Sequence, residues 1–317
     1  MASKEILKTL LKMKRKKMGK ANRKKSQGIP KGKTWLYPHN IERTYKKGIT
    51  ELQREFTVPV TKTLVANLER WTQEYKGDSL RVDAFGPELK AMIEREQERL
   101  NRIYGENAPR VRAFIYKIGE NVSAFNLAQG NKLIESLLGI EFLTTELWEE
   151  EVIQIWEDTN FELIKSLSEE YIKRVNTLVA DGVQFGKGYS EIMKEIKALN
   201  KNITQARASL IARDQVGKLN GVLTERRMSD AGIDMYEWLT AGDERVRSSH
   251  QPLNNKLCRW DDNGVYSADK GDTWKSRTSE MTKSIPGQDI QCRCTAIPFF
   301  GDLIAEIDEE IEGDENE

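Results

Sequence analysis

The chain has 317 residues, with 50 Lys/Arg, 50 Asp/Glu, two His and three Cys; 38% of it is hydrophobic and 32% charged. That length suits about two domains, and a charged fraction above the roughly 25% of an average domain fits long helices with solvated faces. No run approaches the ~18 apolar residues of a membrane span, the start MASKEILKTLLKMKRKK lacks the order of a secretory leader, and three cysteines confined to the last fifth argue against a secreted disulfide scaffold.

The net charge of zero hides two opposed blocks. Residues 1–34 carry 13 Lys/Arg against Glu5 alone. Ile6, Leu7, Leu10 and Leu11 make a short amphipathic stretch, but no large apolar residue lies between Met18 and Ile29, so this segment reads as a flexible basic arm. Lys14, Arg15, Lys16, Lys17, Lys20, Arg23, Lys24 and Lys25 are its candidate DNA-backbone contacts, because each neutralised phosphate releases a counterion. An acidic membrane or an acidic protein would attract the same charges, and a purely solubilising arm is the plainer alternative.

Residues 35–232 have the texture of a helical domain. Tyr45, Ile49, Leu52 and Phe56 recur at helical spacing, and Leu64, Leu68 and Trp71 continue the stripe. Leu89, Ile93, Leu100 and Ile103 form another face, as do Ile164, Leu167, Tyr171, Val175 and Leu178. Ser190 is a predicted cap for one helix and Thr204 for a longer one that stops at Gly232. Apolar residues at this spacing are core, and none is read as a cofactor site.

The pattern changes at residue 233. Tyr236, Trp238 and Thr240 alternate as in a strand, and breakers follow at Gly242, Pro252, Asn254-Asn255, Gly264, Gly271 and Pro286-Gly287. Residues 233–300 are expected to form a small α+β module. Residues 301–317 form an acidic tail, with nine acids and no Lys/Arg from residue 302 onward. The fold class expected is mainly α: an elongated helical body with a small C-terminal α+β module and charged, flexible termini.

The chemically distinctive residues gather in the module: Asp243, Arg245, Arg247, His250, Cys258, Cys292, Arg293 and Cys294. His250 with the three thiols would supply the four donors of a structural zinc. In an extended chain, Cys292 and Cys294 would turn their sulfurs to one side. A reduced-thiol core around a hydrogen-bonded histidine is the alternative, and a catalytic cysteine–histidine pair oriented by Asp243 is a third reading. Arg245 and Arg247 would share one face of a strand, paired with Asp243 and Glu244. There is no P-loop, no GxGxxG after a strand, no HExxH and no GxSxG, and no residue is assigned a catalytic role.

Three segments in order carry a resemblance: IARDQVGKLNG at 211–221, AGIDMYEWLTAGDERVRSSHQPLNNKLCRWDD at 231–262, and PGQDIQCRCTAIP at 286–298. Together they resemble the phage Mu F-like head morphogenesis family, the minor head or minor capsid proteins. The core signature runs from Trp238 through Asp243, Arg245 and Arg247 to His250, and the Cys-Arg-Cys motif is residues 292–294. LNNK at 253–256 departs from the Leu-Asn-Gly usual there, a turn that Asn255 can also make in a left-handed conformation. Cys258 is less typical of the family than His250 and the Cys-Arg-Cys pair.

The resemblance implies a virion head component, present in the host cytoplasm during assembly. It would be associated with the portal and with capsid or scaffold proteins, and would act in head assembly and in DNA packaging or ejection. It also implies kinship with domains fused to toxins, where the F-like unit is a carrier. Against it stand a metal-dependent nuclease or other enzyme built on His250, Cys292 and Cys294, and a non-viral nucleic-acid-binding module.

Overall fold

A computed structural model describes residues 2–18, 35–74, 82–138, 142–143, 146–185, 187 and 189–314. Among the described residues five helices come first: α1 (Ala2–Lys16), α2 (His39–Glu74), α3 (Val82–Leu138), α4 (Leu147–Gln184) and α5 (Tyr189–Asp230). Strands β1 (Met235–Leu239), β2 (Leu257–Arg259), β3 (Val265–Tyr266), β4 (Lys275–Ser276) and β5 (Thr295–Phe299) follow, then helix α6 (Gly301–Asp314). The protein is thus mainly α, with a small strand-and-helix module at its C-terminal end. Among the described residues no helix is long and apolar enough to cross a membrane.

Two compact units divide the chain: residues 42–118 with 153–212, and residues 1–41 with 119–152 and 213–317. In the first, the helical stripes read from the sequence are core: Tyr45, Ile49, Phe56, Leu64, Leu100, Ile164, Tyr171 and Val175 are all buried. A buried polar seam joins its helices. The Gln53 amide donates to Tyr104 Oη at 2.7 Å and to the Ile164 carbonyl at 2.9 Å, and Ser168 Oγ donates to Gln53 Oε1 at 2.9 Å. A network satisfied in this way fixes helix register, because any slip would strand buried polar groups.

One expected boundary moves. Thr204 does not open a helix, since α5 runs unbroken from Tyr189 to Asp230. No Gly or Pro between Ser190 and Thr204 interrupts the backbone, and propensity alone rarely ends a helix that tertiary packing supports. At the other end Gly232 does stop it. Its φ is 75°, the Ile233 amide donates to the Met228 carbonyl at 2.8 Å, and the Gly232 amide donates to that of Ser229 at 2.9 Å. This pair of bonds satisfies carbonyls that the helix leaves open, and it needs the left-handed residue that glycine supplies cheaply.

In the second unit, β1 is the central strand of an antiparallel sheet ordered β2-β1-β5, with Tyr236 opposite Cys258 and Pro298, and Trp238 opposite Ala296. Tyr236 and Trp238 are buried on the same side of the pleat. Strands β3 and β4 form a separate pair.

The two charged ends, read as separate tails, meet in this unit. Helix α1 packs on α6, burying Leu7 and Leu11 with Ile304, Ile307 and Ile311 in one core cluster. The charges pair in register: Lys8 with Glu306 and Glu310, Lys12 with Glu310 and Asp314, and Lys16 with Asp314. Arg15, expected on a DNA-facing arm, is only 4% exposed and makes a two-pronged bond to Asp308 at 2.6 and 2.5 Å. The physical reason is that Leu7 and Leu11, one helical turn apart, suffice to dock one face once an acidic amphipathic helix stands opposite. Lys20, Arg23, Lys24 and Lys25 lie outside the described residues.

Candidate functional site

Residues 213–221 of the first family-like segment and the whole of the other two converge in the second unit. Their meeting depends on two glycines of α5. A Cβ on Gly217 would stand 2.9 Å from the Cys292 carbonyl, and one on Gly221 would stand 2.6 Å from the Pro286 carbonyl. Bare backbone at both positions lets the loop 286–294 lie directly on the helix. Asp214, from the same helix, fastens the loop by accepting the Gln291 amide at 3.0 Å, and Gln291 takes a left-handed φ of 58°. Asn255 also adopts the left-handed turn expected of it, with φ 59°.

His250 sits where the turn after β1 meets this loop, and it is 2% exposed. Its Nδ1 faces Cys294 Sγ at 3.4 Å and Cys292 Sγ at 3.6 Å. On the other edge of the ring, Nε2 lies 2.8 Å from Asp289 Oδ2. Asp289 is itself held: Thr282 Oγ1 donates to Oδ2 at 2.9 Å and Ser284 Oγ to Oδ1 at 2.7 Å. Behind these residues the buried Arg277 donates to the carbonyls of Thr282 and Ser284 at 3.0 and 3.1 Å. Trp238 meets the imidazole edge-on at 5.5 Å between centroids, and the Arg277 guanidinium lies 5.6 Å from the centre of its indole.

Electrostatics follow from these contacts. Burial pulls His250 towards the neutral form, but Cys292 and Asp289 outweigh it and raise its pKa. The Cys294 thiol beside Cys292 draws the Cys292 pKa down against the cost of burial, with His250 adding to the effect. Cys294 is pushed up by the same neighbour and by burial.

The four-donor set expected for zinc is corrected to three. His250, Cys292 and Cys294 have their donor atoms within 4.8 Å of one another, whereas Cys258 lies on β2 opposite Tyr236. There, burial pushes its thiol pKa up. Cys258 faces the sheet position of Tyr236, while the cluster gathers around Trp238 two residues further along.

The arginine expectation also changes. Residues 243–250 form turns and not a strand, so Arg245 and Arg247 share no strand face. Arg245 pairs with Asp243 at 3.1 Å, as expected, but Arg247 donates to the Ile290 carbonyl. The main partner of Asp243 is Arg293, whose Nη2 lies 2.7 Å from both carboxylate oxygens. That guanidinium, with Arg245, holds the Asp243 carboxyl at about 2. Asp243 therefore does not orient His250, because Asp289 does. Asp289 and Arg277 escaped the sequence reading. Asp289 was in view inside PGQDIQCRC, but nothing in spacing separates it from other acids; Arg277 carried no signal.

A cavity of about 540 Å³ opens near the site, lined by Trp35, Tyr37, His39, Leu239, Ala241 and Arg293 among others. His250, Cys292 and Cys294 do not line it. The cluster is thus a buried knot that ties the 249–250 turn to the 282–294 loop.

Comparison with known proteins returns to the same residues. Residues 173–297 match the family described as Phage Mu protein F like protein. The match contains the first two of the three segments whole and the third up to Ile297. An uncharacterized protein of Haemophilus influenzae is 35% identical over 141 residues, covering 44% of this chain and 28% of the relative. An uncharacterized protein of Methanocaldococcus jannaschii is 26% identical, over 46% of this chain and 20% of its own length. The NAD(+)--arginine ADP-ribosyltransferase EFV of Enterococcus faecalis is 25% identical, over 46% of this chain and 30% of its own. The matched stretch spans less than a third of each of these curated relatives. No solved structure matches.

Proposed function

Because residues 173–297 are a Phage Mu protein F like region, we propose that this chain is a minor head protein of a tailed bacteriophage. It docks on the portal or the inner shell and acts in head assembly and in DNA packaging or ejection. The observation that carries the reading is the convergence of the three family segments on one buried knot within the matched stretch. Arg277, Asp214 and the two glycines hold loop backbone, while Asp289 and Arg293 hold the side chains of His250 and Asp243. His250 and Cys294 are 2% and 6% exposed, which suits architecture better than turnover.

The proposed partners follow from charge and shape. The basic stretch around Lys20, Arg23, Lys24 and Lys25 engages the DNA backbone without base preference. The cavity beside β1 and Arg293 offers an apolar wall with a guanidinium at its edge for a partner segment. The ADP-ribosyltransferase relative fits a carrier role for the shared region, since the match covers only part of that protein. Co-purification with the portal protein encoded in the same genome tests the reading. The tagged chain should retain the portal through salt washes, and an Arg293→Ala variant should retain less. No retention by a folded chain would contradict it.

A further inference from the structure

The His250–Cys292–Cys294 knot has the makings of a metal site. Its three donor atoms, one nitrogen and two sulfurs, lie within 4.8 Å of one another and all three residues are buried. The cysteines are free thiols. The imidazole turns one nitrogen to the sulfurs and gives the other to Asp289 at 2.8 Å. A carboxylate on the far nitrogen is the usual support of a metal-bound histidine, because it fixes the ring and raises its basicity. Here the support is itself anchored by Thr282 and Ser284.

Charge is consistent with a metal. Two thiolates and a neutral imidazole around a divalent cation sum to zero, so the buried site would carry no net charge. One nitrogen and two sulfur donors match a borderline-soft ion that accepts both. We propose that His250, Cys292 and Cys294 bind one Zn²⁺ through Nδ1 and the two Sγ atoms, as a structural tie between the 249–250 turn and the 282–294 loop. Three protein ligands leave one position of a four-coordinate shell to a water molecule. Cys258 takes no part.

The test uses the full chain purified from zinc-supplemented medium without chelator. Elemental analysis should find about one zinc per chain. After exchange, Co²⁺ should give a thiolate-to-cobalt charge-transfer band and the visible absorption of a tetrahedral ion. Cys258→Ser should keep both signals, and Cys292→Ser and His250→Ala should each lose at least about tenfold in metal affinity. A folded wild-type chain with no zinc and no thiolate–cobalt band overturns the proposal. So does a Cys258→Ser variant that loses metal as completely as Cys292→Ser. The wild-type measurements stand even where a ligand variant fails to fold.

Discussion

Oδ2 of Asp289 stands 2.8 Å from Nε2 of His250, and this contact decides which way the imidazole faces. With its far nitrogen occupied, the ring can offer only Nδ1 to Cys292 and Cys294. Asp289→Ala leaves His250, Thr282 and Ser284 without their shared acceptor. Bonds to a charged group contribute about 1.5–3 kcal/mol each, so the variant should lose about 2–4 kcal/mol in urea denaturation. A change within about 0.5 kcal/mol, the scatter of ordinary surface substitutions, would remove Asp289 from the framework.

The glycines of α5 make a second test. Gly217→Ala and Gly221→Ala each push a methyl group against loop backbone that cannot step aside. Overpacking of this kind costs about 1–3 kcal/mol. Gly105→Ala is the control: it is helical, nothing lies within 4 Å of the added carbon, and it should stabilise by about 0.5–1 kcal/mol through propensity. Equal effects at all three positions would show that helix–loop contact plays no part.

Arg227, 1% exposed in its side chain, is paired with Glu149 Oε2 at 2.5 Å and bonded by Ser123 and Asn126. Glu149→Ala strands this buried cation. The expected loss is about 3–5 kcal/mol, with Glu149→Ala/Arg227→Met recovering part of it. A single variant as stable as the parent would mean that the guanidinium reaches water.

The α1–α6 pairing has a pH and salt dependence whose sign is set. Lys8 and then Lys12 lower the Glu310 pKa, and Lys16 and then Lys12 lower that of Asp314. Depressed carboxylates stabilise the docked helix above their unfolded pKa and lose that contribution as pH falls through their folded values. Hydrogen exchange in residues 2–16 should therefore accelerate, after correction for intrinsic rates, on going from neutral pH to about pH 3. It should also accelerate in about 1 M salt, where the screening length is only about 3 Å. Leu7→Ala should undock the helix under all conditions, at a cost of about 2–5 kcal/mol.

The proposed contact of the basic arm with DNA is best probed without deleting the arm, because Leu7 and Leu11 belong to the core cluster. Replacing Lys20, Arg23, Lys24 and Lys25 with Ala should weaken DNA retention in gel shifts. The log–log salt slope should fall by up to about four contacts' worth, roughly 0.9 per phosphate. Unchanged binding would assign the arm another partner.

Local features were legible in the sequence wherever short-range physics governs them. The Tyr45-Ile49-Leu52-Phe56 stripe, the stop at Gly232 and the left-handed turn at Asn255 all depend on neighbours a few residues away. His250, Cys292 and Cys294 could be collected by residue type, but so could Cys258, since a list of thiols carries no positions. The docking of Leu7 and Leu11 on α6 joins residues almost 300 apart, and charge blocks alone read equally well as free tails. Asp289 became visible only when the fold put it behind the imidazole; Thr204 misled because a good capping residue inside a helix looks the same as one at its start.

We propose above all that this chain is a component of the phage head. Mass spectrometry of purified, nuclease-treated virions from the encoding phage tests it most directly. The chain should be present at a few copies per particle, retained after washing in high salt. Particles that package and deliver DNA normally yet contain none of it would contradict the account.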